Sequence, residues 1–236
     1  MENCYTVGDS REVLSQLDDE AVDLIVTDPP YGIGYTRTHG RREKKPVLAG
    51  DTAAEAPWLM REVVGHLARV LKPGGTIYVF APGGRTAFRQ GSALVRELEV
   101  HFDIRNTLVW DKLSIGPGWY WRNQFEMIVM ASKGSLGDNW QGGRSQSNVL
   151  GCKRTRSFAE GHPTPKPLDL IKRLVEASSR PGELVLDPFG GSGVTGAAAA
   201  ELGRRWICID LDERWAAEAK SRYGLPVSYF DGKLSK

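Results

Sequence analysis

Val22-Asp23-Leu24-Ile25-Val26-Thr27-Asp28-Pro29-Pro30-Tyr31 is the stretch whose reading decides the fold. The apolar run Val22–Val26, interrupted only by Asp23, has the make-up of a strand buried in a parallel sheet. A carboxylate, two prolines and an aromatic ring follow at its carboxyl end, the edge at which open α/β sheets carry out their ligand chemistry. Asp28 can accept a hydrogen bond from an exocyclic amine. Pro29 and Pro30 stiffen the turn and leave a carbonyl free to accept another, and Tyr31 offers a flat face on which a base can stack. An Asp-Pro-Pro turn that merely closes a strand accounts for the same residues equally well. The rest of the chain decides between the two.

Before this stretch, Tyr5–Val7 reads as a short strand ending in Gly8-Asp9, and Ser10 can cap a helix to about Leu17. After it, Pro57 opens a helix to about Leu71 whose apolar stripe is Leu59, Met60, Val63, Val64, Leu67 and Val70. Lys72-Pro73-Gly74-Gly75 stops that helix. A strand over Thr76–Phe80, a helix from about Arg85 to Glu99, and strands over Ile104–Trp110 and Phe125–Ala131 come next. Beyond His162-Pro163-Thr164-Pro165, a helix over Lys166–Ser179 carries Leu168, Ile171, Leu174 and Val175 on one face. Leu184–Leu186 is a wholly apolar strand, followed by a glycine-rich turn and a small-residue helix that Gly203 ends. Trp206–Ile209 is a strand ending at Asp210, and a last helix starts near Asp212. Strands alternating with helices throughout predict one α/β domain over residues 1–236, built on a doubly wound, mostly parallel sheet.

Composition narrows the class. A chain of 236 residues with 41% hydrophobic content and 27 glycines suits a loop-rich α/β enzyme with a sizeable core. It holds no apolar run long enough to span a bilayer, and Met1-Glu2-Asn3-Cys4 lacks the basic and apolar regions of a signal peptide. Cys4, Cys152 and Cys208 are widely spaced and form no Cys-x-x-Cys pair, which argues against a disulfide framework or a cysteine zinc site. A reduced, cytoplasmic setting is expected. His39, His66, His101 and His162 show no ligand spacing, so no metal is expected and each reads as a surface or helix residue. Trp119, Tyr120 and Trp121, and likewise Arg122, Asn123 and Glu126, read first as packing or loop residues, with a share in base or DNA contact as the second reading.

The net charge of +2 says less than where the charges gather. Arg37, Arg41, Arg42, Lys44 and Lys45 cluster in a loop over residues 36–52, with Glu43 the only acid among them. Arg144, Lys153, Arg154 and Arg156 fall in an aperiodic segment over residues 132–161 with no acid between Asp138 and Glu160. Each run by itself reads as a solvated loop.

Asp187-Pro188-Phe189-Gly190-Gly191-Ser192-Gly193 is the turn of a nucleotide-binding strand–helix–strand unit. Gly191, Gly193 and Gly196 satisfy G-x-G-x-x-G, and Asp210 stands 17 residues after Gly193, where an acid can bond ribose hydroxyls. Taken alone the pattern suits a nicotinamide-dependent dehydrogenase almost as well as anything else. Asp187 tips the balance, because a carboxylate at the strand tip would repel a pyrophosphate and suits a cationic ligand. A dehydrogenase would also leave Asp28–Tyr31 without a role.

The two motifs together resemble the amino-methylating DNA methyltransferases, those acting on adenine N6 or cytosine N4. Their order, catalytic motif first and cofactor motif last, is similar to the permuted β group of that family. Gly8-Asp9, Lys72-Pro73-Gly74-Gly75 and His162-Pro163-Thr164-Pro165-Lys166-Pro167 extend the likeness over most of the chain. The resemblance implies S-adenosyl-L-methionine in the loop Asp187–Gly193, with Asp210 on its ribose, Asp9 near its adenine end and Lys166 near its methionine moiety. It implies the seven-stranded methyltransferase sheet with one antiparallel strand. Asp28, Pro29, Pro30 and Tyr31 become the catalytic residues, with adenine N6 favoured over cytosine N4 by the aspartate at the head of the tetrapeptide. Double-stranded DNA becomes the partner of both basic segments, with residues 132–161 as the target-recognition insert. The likeness also brings a second copy of the chain and a cognate restriction endonuclease into view as partners. A nucleic-acid binder that kept the fold and lost catalysis is the non-enzymatic alternative, which the intact Asp28 and glycine loop argue against.

Overall fold

The computed structural model describes residues 3–31, 51, 56–83, 91–116, 120–136, 139–155 and 161–232. In chain order the elements are β1 (Cys4–Val7), α1 (Ser10–Ser15), β2 (Val22–Thr27), α2 (Ala56–Val70), β3 (Leu71–Ala81), α3 (Ser92–Glu99), β4 (Asp103–Asp111) and β5 (Phe125–Ser132). Then follow β6 (Val149–Gly151), α4 (Leu168–Ser178), β7 (Leu184–Asp187), α5 (Val194–Glu201), β8 (Arg205–Asp210), α6 (Glu213–Tyr223) and β9 (Val227–Tyr229). No helix among the described residues is long and apolar enough to cross a membrane.

Among the described residues, nine strands join one sheet in the order β6-β4-β5-β3-β2-β7-β8-β1-β9. Every neighbouring pair is parallel except the two that involve β5, so β5 alone runs backwards among the described strands. The expected seven strands with one reversed are thus present, and β6 and β9 add a short strand at each edge. The helix expected from Arg85 is observed from Ser92; residues 84–90 lie outside the described part.

Period-two alternation sorts each central strand between two apolar layers. Leu24, Val26, Tyr78, Phe80, Ile128, Met130, Trp206 and Cys208 face one side, where Leu170, Ile171, Leu174 and Val175 of α4 and the small residues Ala198, Ala199, Ala216 and Ala219 of α5 and α6 cover them. Ile25, Ile77, Val79, Val129, Ile207 and Ile209 face the other, under Val13 and Leu14 of α1, Met60, Val63, Val64 and Leu67 of α2, and Leu94 and Leu98 of α3. Fully burying a Leu- or Val-sized side chain contributes about 1.5–3 kcal/mol, so these layers supply most of the drive to fold. Gly193, which caps α5, has φ of 78°, and a Cβ on it would lie 2.6 Å from the Cβ of Ala219. Only glycine lets α5 start this close to α6.

The connections fix where the chemistry can sit. From β2 the chain crosses through α2 to β3 on one side, whereas from β7 it crosses through α5 to β8 on the other. β2 and β7 are neighbours, paired Leu24 with Val185 and Ile25 with Leu186. Their crossovers diverge, which opens a crevice beyond their carboxyl ends. Asp28 follows β2 directly and Asp187 is the last residue of β7.

Candidate active site at the strand switch point

A pocket of about 380 Å³, part of it open to solvent, occupies this crevice. Asp28, Phe80, His162, Lys166, Asp187, Gly190 and Gly191 are among its walls. The two motifs, about 160 residues apart in sequence, therefore share one cavity.

Asp187 anchors the floor. Its Oδ1 accepts from Thr27 Oγ1 at 2.9 Å and from the Phe189 N–H at 3.1 Å, and its Oδ2 accepts from Thr195 Oγ1 at 2.7 Å. Thr27 belongs to β2 and Thr195 to α5, so this one carboxylate ties both motifs together. Burial pushes its pKa up to about 7, against the three hydrogen bonds that stabilise the charged form.

The glycine loop is held from the next strands. Asp210, at the end of β8, accepts the Gly191 N–H at 2.8 Å on Oδ2 and the Asp212 N–H at 2.9 Å on Oδ1. Burial lifts its pKa to about 6. The Tyr5 hydroxyl donates to the Gly191 carbonyl at 2.7 Å, and the Gly190 N–H donates to the Ile209 carbonyl at 2.7 Å. Gly191 has φ of 45°, and a Cβ on it would lie 3.0 Å from His162 Nε2. Ser192 is buried, and Phe189 packs into the α1–α3 side of the core. Asp9 lies on the same sheet edge, next to the Gly8 N–H that bonds the Asp210 carbonyl. Its carboxylate caps α1 and is clasped by Arg11, at 2.9 Å to Nε and 2.6 Å to Nη2, which holds its pKa below the usual range.

On the opposite wall, both oxygens of Asp28 are engaged. Tyr31 donates its hydroxyl to Oδ1, and Lys166 Nζ lies 2.5 Å from Oδ2. Tyr31 thus reaches its own motif's carboxylate, and its ring packs against the α4–α6 side of the core. Pro29 is buried and Pro30 half-buried. Lys166, whose side chain is 7% exposed, also lies 3.1 Å from Glu126 Oε2, and Glu126 Oε1 accepts from Lys112 Nζ at 2.7 Å. The result is an alternating row of two ammonium groups and two carboxylates, with the Phe80 ring 4.9 Å beneath Lys166 Nζ. Burial lifts the pKa of Asp28 in spite of Lys166, while for Glu126 the two lysines override burial and lower it. Burial alone would lower Lys166, but the facing carboxylates raise it to about 12.

Two residues of this site are only faintly marked in the sequence. Glu126 reads first as a packing residue there, although the resemblance places pocket-facing residues near it; its partners come from just past β4 and from the segment before α4, with no spacing to announce them. His162 reads as a surface or helix residue. It instead walls the glycine loop, donates its backbone N–H to Glu218 Oε2 at 2.6 Å and meets the Trp215 ring edge-on at 4.8 Å. Burial, with Lys166 nearby, depresses its pKa to about 4, so it is neutral at pH 7. The one signal for it is its place in His162-Pro163-Thr164-Pro165-Lys166-Pro167.

The basic residues divide. Lys153 and Arg154 are exposed and follow β6, whose carboxyl end lies on the same edge as Asp28; Arg154 Nη2 is 3.5 Å from Ser114 Oγ. Arg144 is exposed three residues after Gln141, whose N–H bonds the Ala177 carbonyl near the carboxyl end of α4, the end away from Lys166. Arg37, Arg41, Arg42, Lys44, Lys45 and Arg156 lie outside the described residues.

A doubly wound sheet, with a carboxylate–proline–proline–aromatic turn and an acidic-tipped glycine loop on one crevice, defines an amino-group methylase. Comparison with known proteins agrees. The family model described as DNA methylase, of the N6/N4 methyltransferase type, matches residues 22–221, and the chain belongs to that family. The Type II methyltransferase M2.DpnII of Streptococcus pneumoniae is 30% identical over 91% of this chain and 87% of its own length. The Thermus thermophilus protein TTHA0409, solved in complex with S-adenosyl-L-methionine, superposes with a TM-score of 0.70 at 27% identity, over 96% of this chain and 99% of its own. The cytosine-N4-specific PvuII DNA methyltransferase shares the fold, with a TM-score of 0.71 at 20% identity over 98% of this chain and 87% of its own.

Proposed function

We propose that the chain transfers a methyl group from S-adenosyl-L-methionine to the N6 amine of an adenine flipped out of double-stranded DNA. One observation carries the reading: Asp28 and the glycine loop line the same pocket at the strand switch point. The loop fits the cofactor. Gly190 and Gly191 leave its backbone bare where a Cβ would meet Cys208 or His162 at 3.0 Å, and each Asp210 oxygen keeps a lone pair beyond the one that steadies the loop. S-adenosyl-L-methionine supplies an already activated methyl group on a positively charged sulfur, which suits a wall built from Asp187 and Asp28.

The chain's own residues then have two tasks. The first is alignment: holding two reactants at contact distance provides effective molarities of about 10⁵ M or more, worth about 7 kcal/mol upward. The second belongs to Asp28. By accepting an N–H from the amine, it favours the pyramidal nitrogen whose electron pair is free, and it stabilises the positive charge that develops there. The base cannot be reached inside a duplex, so it is extruded, at a cost of a few kcal/mol that contacts in the pocket offset. Lys153 and Arg154, on the Asp28 edge, contact the DNA in this reading, and residues 132–161 form the target-recognition insert of a single methyltransferase domain.

Adenine is chosen over cytosine because an aspartate heads the tetrapeptide. The test is incubation with labelled S-adenosyl-L-methionine and unmethylated duplex DNA, followed by nuclease digestion. Labelled N6-methyladenine is expected. Labelled N4-methylcytosine would overturn the choice of base, and DNA without label would overturn the activity.

A further inference from the structure

The row Lys112–Glu126–Lys166–Asp28 contains an imbalance. Tyr31 O–H and Lys166 N–H occupy the two oxygens of Asp28, whereas Glu126 Oε2, fully shielded from solvent, shares that same Lys166 ammonium at a longer distance. It lies 3.1 Å from Lys166 Nζ, a looser ion pair than the 2.5 Å contact of that ammonium with Asp28 Oδ2. An amine that is to bond Asp28 competes with the ammonium for Oδ2. A buried ammonium cannot be left without an acceptor, and a cation fixed on Asp28 opposes the positive charge growing on the amine nitrogen. The more loosely held acceptor beside it resolves both difficulties.

We propose that Glu126 is the positioning residue of this site, taking the Lys166 ammonium on Oε2 when the target amine engages Asp28 Oδ2. The inference rests on the methyl-transfer reading above and deepens it. Lys112 completes the device: it holds Glu126 Oε1 at 2.7 Å, so that Oε2 stays turned toward Lys166. The hand-over needs only a small turn of the Lys166 side chain, and the row keeps its two positive and two negative charges throughout. The groups facing Asp28 are Lys166 from the segment before α4, Glu126 from β5, Tyr31 from its own turn and Asp187 from β7. Behind them stand Lys112 just past β4, His162 beside Lys166, and Asp51, which acts on Tyr31.

The test uses the full chain, with Glu126→Gln as the main variant and Glu126→Asp as the conservative one. Two readouts are taken: the single-turnover methyl-transfer rate against pH, and the titration of the Asp28 carboxyl by ¹³C resonance, assigned through its loss in Asp28→Asn. Glu126→Gln removes a negative charge that raises the Asp28 pKa. The carboxyl should therefore titrate lower, by about half a unit or more, and the acid limb of the rate profile should move with it. The amide has one acceptor oxygen for two ammonium groups and no charge to hold either, so the rate should fall at least about tenfold while S-adenosyl-L-methionine affinity stays within about twofold. Glu126→Asp should recover part of both effects. A rate loss without any shift of the Asp28 titration would mean that Glu126 only packs, and that overturns the proposal, as does an unchanged rate. If the wild-type chain labels no DNA, the methylase reading fails, while the titration, read on the free protein, still decides whether Glu126 acts on Asp28.

Discussion

The hydroxyl of Tyr5, in the first strand of the chain, donates to the carbonyl of Gly191 at 2.7 Å across 186 residues of sequence. Tyr5 is fully buried, and burial, reinforced by the nearby acids, raises its pKa beyond any working pH, so it stays a donor. β1 is thus a brace for the glycine loop, although it lies two strands from β7. Tyr5→Phe keeps the ring and leaves the Gly191 carbonyl without this donor, a loss that costs roughly 1–3 kcal/mol when the orphaned group is buried. Thermal unfolding should show that destabilisation. Calorimetry should show weaker S-adenosyl-L-methionine binding, with the methylated base unchanged.

Cofactor affinity should depend on pH through Asp210. Its pKa is raised to about 6 by burial, so in the free protein the carboxylate becomes a carboxylic acid as pH falls below that value. The acid has fewer lone pairs to offer, and it must keep accepting from the Gly191 and Asp212 N–H groups. Binding of S-adenosyl-L-methionine should therefore weaken from pH 8 to pH 5. For stability the sign is opposite: a raised carboxyl pKa means that the folded chain binds the proton more tightly than the unfolded chain, so this group favours folding below about pH 4 and loses that contribution as pH rises through 6. Asp210→Asn should flatten the part of the affinity curve centred near 6. Asp187, pushed to about 7, should leave a separate inflection that survives in that variant. An affinity profile that Asp210→Asn leaves unaltered would remove Asp210 from cofactor binding.

Asp28→Ala should separate catalysis from cofactor binding. The carboxylate belongs to the β2 turn, whereas the cofactor loop is held by Asp210, Tyr5 and the Ile209 carbonyl from other strands. Removing one acceptor aimed at developing charge costs roughly 2.7–4 kcal/mol, or 10²–10³ in rate. Lys166 keeps Glu126 as a partner in the variant, so the fold should persist. Single-turnover rates and calorimetry, measured side by side, should show the loss in the first and little change in the second.

Much of this site is legible in the sequence because its key residues sit at strand ends. Asp28, Asp187 and Asp210 each close an apolar run, and period and punctuation place such positions well. β6 and β9 escape because Val149-Leu150-Gly151 and Val227-Ser228-Tyr229 are too short to show any alternation. Lys72-Pro73-Gly74-Gly75 reads only as a helix stop. The chain does leave the helix at Val70, but it enters β3 at once, because Leu71 pairs with Val22 before a bulge realigns Leu24 with Thr76. The row through Glu126 is invisible for a different reason: 40 residues separate Glu126 from Lys166, and only the sheet order brings β5 and the α4 approach together.

The basic insert gives the last test, because the fold splits residues that the sequence groups. Lys153 and Arg154 leave β6 on the Asp28 edge, where the proposed function brings in an extruded base, whereas Arg144 follows a segment tied to the far end of α4. β6 runs parallel to β4, pairing Val109 with Val149 and Asp111 with Gly151, so the sheet itself fixes the direction in which Lys153 and Arg154 emerge. A cation that neutralises one phosphate releases counterions and contributes about 0.9 to the slope of log affinity against log salt. Lys153→Ala and Arg154→Ala should each weaken binding to all duplex DNA alike and lower that slope by about one, if both bind phosphate. If either reads a base edge instead, its loss should relax the methylated site at one position, at a cost of about 1–3 kcal/mol against the correct base. Arg144→Ala should change neither. Titrations at two salt concentrations, with sequencing of methylated positions in treated plasmid, distinguish these outcomes. If Arg144→Ala lowers the slope while Lys153→Ala and Arg154→Ala do not, the DNA does not approach along the β6 edge.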